Sequence, residues 1–242
     1  MIAQSDDGVM LRSFEEENDV LMGDFEESYK NLALKHFYGL LWARSNCPDN
    51  TTIIKMDDDI AVNLPKMMKK SQTIENMAGW VHQAMPVRRR ASKWSLSKEE
   101  FKGDTYPDFL SGWAYAMTMH TAKKILDVGL ESDNKLWIDD VWITGMLRSE
   151  ANIRGMTSWS QWYTPYVEHL QCCLKGFELE CDFIAAPSNG QAQLIESFGS
   201  HSRHCSRTGC PKRKTSLLST CYVPNPLFLP DSGGIGHVMN AG

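Results

Sequence analysis

A chain of 242 residues and 27.4 kDa is long enough to bury a sizeable core in one large α/β domain, and 42% hydrophobic residues exclude wholesale disorder. The net charge of −5 is unevenly placed: after Glu196 stand Arg203, Arg207, Lys212, Arg213 and Lys214 against Asp231 alone, so 20 of the 25 bases and 29 of the 30 acids lie in residues 1–196. A body this acidic excludes a general nucleic-acid surface, and no apolar run approaches the ~18–20 residues of a membrane span.

In chain order, residues 1–19 are acidic and turn-rich and read as a loop, without the basic and apolar regions of a signal peptide. Asp24 is placed to cap a helix over 25–45, with Glu26 and Glu27 in its first turn. Tyr29, Ala33, Phe37, Leu40 and Leu41 recur along that helix at helical spacing, and it ends near Asn46-Cys47-Pro48. Asn50-Thr51-Thr52 is an N-glycosylation sequon for a chain in the secretory route. The β-branched run from Thr51 to Met56 predicts a buried strand. A helix from Leu64 to Gln72 follows, tolerating Pro65 in its first turn, and Met77 to His82 reads as a strand. Phe109 to Met119 is a strong apolar segment, and a helix over Thr121–Val128 stops at Gly129. Leu136 to Glu150 suits a helix with Asp139 and Asp140 in its first turn. This order predicts an α/β sheet core. From about Ser197 the pattern lapses into Gly, Ser, His, Arg and Pro. The expected organisation is therefore a domain over 1–196 and a polar basic tail or extension over 197–242.

Seven cysteines, Cys47, Cys172, Cys173, Cys181, Cys205, Cys210 and Cys221, leave at least one unpaired within a monomer and are compatible with both buried thiols and disulfides. His201, His204, Cys205 and Cys210 have a spacing that could suit one zinc, although a polar tail accounts for them more simply.

The most informative local feature is Ile53-Ile54-Lys55-Met56-Asp57-Asp58-Asp59. Three carboxylates at the end of a buried strand repel one another, and a divalent cation relieves that repulsion. In an extended segment Asp57 and Asp59 share a face, so the pair can hold a hard cation such as Mg²⁺ or Mn²⁺ with its diphosphate ligand. The competing reading is an inert acidic turn. In Asp139-Asp140 one carboxylate can cap the helix and its neighbour can act as general base. Arg88-Arg89-Arg90 is the only basic cluster of the main body and precedes Lys93-Trp94. Such a run is either a solvated face or a contact for a diphosphate. Trp94, Trp113, Trp137 and Trp142 supply faces for core packing or for stacking on a sugar.

These residues resemble a known family. Asp24-Phe25-Glu26-Glu27-Ser28-Tyr29-Lys30-Asn31-Leu32-Ala33-Leu34-Lys35, Trp42, Cys47, Lys55 to Asp59, Lys93-Trp94, Tyr106-Pro107, Ser111-Gly112, Asp139-Asp140-Val141 and Thr144-Gly145 stand in the order of the β-1,3-galactosyltransferase group. That group comprises Golgi enzymes related to fringe and to β-1,3-N-acetylglucosaminyltransferases. The likeness runs from about Asn18 to Arg154.

The resemblance implies a GT-A-like, nucleotide-binding mixed sheet flanked by helices, here N-terminally incomplete. The family's Golgi anchor, its Arg-rich first strand and its Phe-x-x-Gly strand have no counterpart. It implies an inverting hexosyltransferase moving galactose or N-acetylglucosamine from a UDP-sugar to an acceptor glycan in protein glycosylation. Asp57 and Asp59 would engage Mn²⁺ and the diphosphate, Lys93 and Trp94 would order donor or acceptor, and Asp140 would be the catalytic base. It also implies a place on the luminal side of the Golgi membrane, with membrane contact only through the anchor not seen here. Where the family often carries a cysteine this chain has Leu110, which leaves Cys47 without its usual partner. The alternative is a truncated, inactive member that binds carbohydrate or a partner. A metal-dependent phosphohydrolase is disfavoured because His82 is the only imidazole near the triplet in sequence.

Overall fold

The computed structural model describes residues 2–4, 20–89 and 92–223, with side chains from residue 20 onward. The described residues form two compact units, each assembled from discontinuous stretches.

The first unit takes residues 1–51, 85–109 and 119–154. Strands β1 (Ile2–Gln4) and β2 (Met22–Glu26) pair in parallel, so residues 2–4 are strand where composition suggests loop; the remainder of 1–19 lies outside the described residues. Asp24 is therefore an exposed strand residue and not a helix cap. A 3₁₀ turn over Tyr29–Asn31 leads into α1 (Leu32–Asn46), whose end at Cys47 agrees with the sequence reading. Pairing with a segment twenty residues upstream overrides the helical start that Glu26 and Glu27 suggest.

Helix α3 (Met119–Glu131) continues through Gly129, which is buried. A Cβ on Gly129 would lie 2.5 Å from the Phe37 ring and 2.9 Å from Leu147, so this glycine serves close helix approach rather than termination. Next comes a helical stretch whose middle, Val141–Leu147, is π-helical, closed by a turn of α-helix over Arg148–Glu150. α1, α3 and the π-helical segment pack together around Phe37 and Trp142, whose rings lie 5.3 Å apart.

The second unit takes residues 52–84, 110–118 and 155–242. Its sheet contains β3 (Thr52–Met56), β5 (Met77–His82), β6 (Phe109–Thr118) and β7 (Thr157–Ser158) in the order β3-β6-β5-β7. β3 runs antiparallel to β6 and β5 parallel to β7, which makes the sheet mixed. β4 (Ile60–Val62) pairs antiparallel with β8 (Ala185–Pro187). Helix α2 (Leu64–Ser71) starts at Asn63, whose side chain accepts from the Lys66 N–H at 3.0 Å, with Pro65 in the first turn. Helices α4 (Val167–Lys175), α5 (Ala192–Thr208) and α6 (Leu217–Thr220) complete the unit, with α5 packed on β4, α2 and α4. A mixed α/β sheet flanked by helices is thus the observed architecture.

α5 runs across the position where a tail was expected to begin at residue 197. Its inner face carries Phe198, His201 and Ser202, all buried, and Phe198 stacks on Phe183 at 5.5 Å. Three disulfides, Cys172–Cys221, Cys173–Cys181 and Cys205–Cys210, tie the region together. Cys47 is the one cysteine outside a disulfide. Because Cys205 and Cys210 are bonded to each other, the zinc set suggested by spacing has no thiolates to offer.

Candidate functional site

In the second unit the acidic triplet follows β3. The Asp57 N–H donates to the Trp113 carbonyl at 3.0 Å, continuing the β3–β6 ladder by one residue. Asp58 and Asp59 then turn into β4, so strand alternation does not order the triplet as an extended segment would. The turn is pinned through its backbone: the Asp59 carbonyl accepts from Ser188 Oγ at 2.6 Å and from the Ser188 N–H at 3.2 Å. Asp58 and Asp59 are exposed, and Asp57 is half-buried and ion-paired with Lys55. Lys55 Nζ also donates to the Gly112 carbonyl at 2.7 Å.

The donor set suits a hard cation. Three carboxylates follow one another in sequence at a strand end, and one of them already holds an ammonium group. Among the described residues no third protein ligand closes on them: the one three-ligand His/Cys/Asp/Glu cluster is Cys173, Cys181 and His201, both of whose cysteines are disulfide-bonded. An ion at the triplet would complete its shell from phosphate oxygens and water, as Mg²⁺-type ions commonly do.

On the same sheet Trp80 packs edge-to-face on Trp113 at 5.2 Å and also contacts His82 at 4.7 Å and Tyr163 at 5.8 Å. Burial pushes the His82 imidazole down to about 4. The same cause raises the Tyr163 phenol above its ordinary range, and its hydroxyl donates to the Ala114 carbonyl at 2.7 Å.

In the first unit the paired acids divide their work. Asp139 Oδ2 lies 2.9 Å from His36 Nδ1, with the two side chains 18% and 5% exposed. Asp140 Oδ1 accepts the Val141 N–H at 2.8 Å, and the Asp140 carbonyl accepts from Thr144 Oγ1 at 2.7 Å. Asp140, rather than Asp139, therefore caps the π-helical segment, a geometry frequent at functional sites.

Tyr106 belongs to the same unit. Burial raises its phenol well above the ordinary range, Arg88 opposes that shift and Asp140 adds to it. The Tyr106 hydroxyl is buried and finds no hydrogen-bond partner among the described residues.

Lys93 Nζ stands 4.6 Å from the Trp94 ring centroid and 5.5 Å from that of Tyr29. Tyr29 meets Trp137 edge-to-face at 5.9 Å. The fold thus brings Lys93 and Trp94 beside the segment that carries Asp139 and Asp140. Arg88 serves a different purpose from the diphosphate contact considered above. Its guanidinium donates to the carbonyls of Leu96, Ser97, Phe101 and Gly103 at 2.6–3.0 Å and holds that loop closed. Arg90 lies outside the described residues.

Sequence reasoning did not single out His36, Glu100 or Trp80. A histidine inside a helical apolar stripe reads as core, and only the fold reveals its partner 103 residues away.

The second unit thus holds an acidic turn at a strand end of a mixed sheet, and the first unit holds a capped acidic pair beside the half-buried Trp137 and the exposed Tyr29, residue types that a sugar-transferring enzyme can use. Comparison with known proteins agrees: the family model described as Galactosyltransferase matches residues 3–157, and the chain belongs to that family. The chain is 32% identical over 133 residues to the human lactosylceramide 1,3-N-acetyl-beta-D-glucosaminyltransferase, covering 52% of this chain and 35% of that protein. It is 31% identical over 153 residues to the beta-1,3-galactosyltransferase 5 of Mus musculus, covering 61% and 49%. The Xenopus tropicalis lactosylceramide enzyme is 33% identical over 132 residues. The chain spans about a third to a half of the length of these relatives. No helix among the described residues is long and apolar enough to cross a membrane.

Proposed function

We propose that the chain is a metal-dependent, inverting hexosyltransferase of GT-A type that moves galactose or N-acetylglucosamine from a UDP-sugar to a glycan hydroxyl. The family match over residues 3–157 carries this reading, because it contains Asp57, Asp59, Lys93, Trp94 and Asp140 together. The relatives' names speak of β-1,3 transfer and, in two cases, of a lactosylceramide acceptor, which favours a galactose-terminated acceptor here.

Asp59, assisted by Asp57, would hold Mn²⁺, which when bound offsets the charge of the departing diphosphate. Lys55, ion-paired with the Asp57 carboxylate, holds that side chain in place. Asp140 takes the proton from the acceptor hydroxyl as its oxygen attacks the anomeric carbon from the face opposite the leaving group. An ionised carboxylate accepts about four hydrogen bonds, so capping Val141 is compatible with that duty. Asp139, hydrogen-bonded to His36, anchors the start of the helix that carries the base. Lys93, spread over Trp94 and Tyr29, contributes positive charge for a sugar nucleotide or acceptor.

Three disulfides favour an oxidising compartment and so the Golgi lumen, where protein glycosylation would supply the acceptors. Calorimetric titration with UDP tests the reading. Binding is expected to require Mn²⁺ and to disappear in Asp59→Ala, and equal UDP affinity in EDTA or in the variant would refute it.

A further inference from the structure

The first unit contains an open cavity of about 310 Å³ that the transfer chemistry above does not use. Leu136 and Trp142 form its buried floor, the half-buried Trp137 a wall, and Lys30, Glu100 and Lys135 its exposed rim. We infer that this cavity binds a neutral pyranose ring of the acceptor glycan, with Trp137 as the stacking platform and the rim charges as partners for the ring hydroxyls.

The chemistry of the lining selects that ligand class. A pyranose has apolar C–H faces and a polar edge, and it matches an aromatic wall with a few charged groups at the mouth. A purely apolar ligand would strip water from three charged rim groups without replacing their hydrogen bonds. A diphosphate would be attracted by Lys30 and Lys135 but repelled by the Glu100 carboxylate on the same rim, whose ionised form is favoured by hydrogen bonds from Ser97 and Trp137 and by the charge of Lys30.

The platform is preorganised. The Trp137 indole N–H donates to Glu100 Oε1 at 3.2 Å, and the ring is braced edge-to-face by Tyr29 at 5.9 Å. Glu100 is held in turn by the Ser97 N–H at 2.9 Å. The Trp142 indole N–H is satisfied by the Asn134 carbonyl at 3.0 Å, so the floor asks nothing polar of a ligand. Placement in the chain ties the cavity to the reaction. Leu136 and Trp137 precede Asp139-Asp140 with only Ile138 between, and Trp142 follows two residues later, so cavity wall and proposed base share one short segment. The identity of the ring as an acceptor sugar rests on the hexosyltransferase reading, whereas the existence of a sugar cleft does not.

Lactose is the probe, with binding followed by saturation-transfer NMR and by tryptophan fluorescence. Wild-type protein is expected to bind lactose saturably. Trp137→Ala should weaken that binding roughly tenfold or more, and Trp137→Phe should weaken it less, with Mn²⁺-dependent UDP binding retained in both variants. Absence of lactose binding by the wild type, equal affinity in both Trp137 variants, or clear preference for the acidic sialyllactose would each overturn the inference. Lactose binding without UDP binding counts against the transferase reading and leaves the cleft standing; UDP binding without lactose binding does the reverse.

Discussion

The two adjacent acids of the first unit should fail in different ways when each loses its charge. In Asp140→Asn the amide oxygen can still accept the Val141 N–H that Asp140 Oδ1 accepts at 2.8 Å, so the helix start survives. Asparagine is as good a cap as aspartate, and the expected stability change is below about 1 kcal/mol. The amide cannot take a proton at neutral pH, and general-base catalysis is worth about 10²–10⁴ in rate, or roughly 3–5 kcal/mol of barrier. His36→Ala reverses the pattern. It removes the imidazole 2.9 Å from a carboxylate whose side chain is only 18% exposed, and stripping a partner from such a group costs about 1–3 kcal/mol. Catalysis should fall only as far as the helix start shifts. Thermal melting and turnover at saturating donor, measured side by side on Asp140→Asn, Asp139→Asn and His36→Ala, read the two effects separately. Wild-type turnover in Asp140→Asn, or a far larger catalytic loss in Asp139→Asn, would show that the base is the other carboxylate.

Two further outcomes follow from burial. His82 titrates at about 4 in the folded chain against 6.5 for the ordinary imidazole, so between those values the unfolded chain binds more protons. The stability this gives is full above about pH 6.5 and lost as pH falls toward 4, by at most about 3 kcal/mol before solvent screening reduces it. His82→Gln should flatten that part of the stability–pH curve, and an unchanged difference between the two proteins across the window would count against it. Phe198→Ala should cost about 3–5 kcal/mol in chemical denaturation, because Phe198 is fully buried against Phe183; a loss under about 1 kcal/mol would mean that α5 is only loosely attached.

Elements with a local signature were legible in the sequence. β3 and β5 were marked by β-branched or apolar composition, the C-terminal end of α1 by Cys47-Pro48, and α2 by Pro65 in its first turn. What escaped depended on distant partners. β2 is a strand because Ile2–Gln4 lies alongside it, and β4 is three residues long and gains its identity from β8, over a hundred residues away. α5 did carry its signal. Leu194, Ile195, Phe198, His201, Ser202 and Cys205 keep helical spacing, but His and Ser at those positions read as polar although both are buried. The acidic pairs were visible as candidates. Their division of labour was not, since nothing in the sequence joins His36 to Asp139.

The charge inventory argues for a cation at the triplet independently of the family likeness. A UDP ligand is anionic, and residues 1–196 carry nine more acids than bases. Much of the positive charge in that region is already engaged. Arg88 is held by four backbone carbonyls, while Lys35, Arg44, Lys66, Lys98 and Lys123 are ion-paired with Glu27, Asp127, Glu180, Asp104 and Asp49. Lys55 sits on Asp57 itself. One lysine cannot offset three adjacent aspartates together with a diphosphate, because like charges a few ångströms apart repel even where solvent screens them. A diphosphate brought to the triplet would therefore need positive charge beyond that of Lys55. On the function proposed above, a hard divalent ion at Asp57 and Asp59 would supply that charge, and this is the electrostatic ground for expecting UDP binding to respond to Mn²⁺.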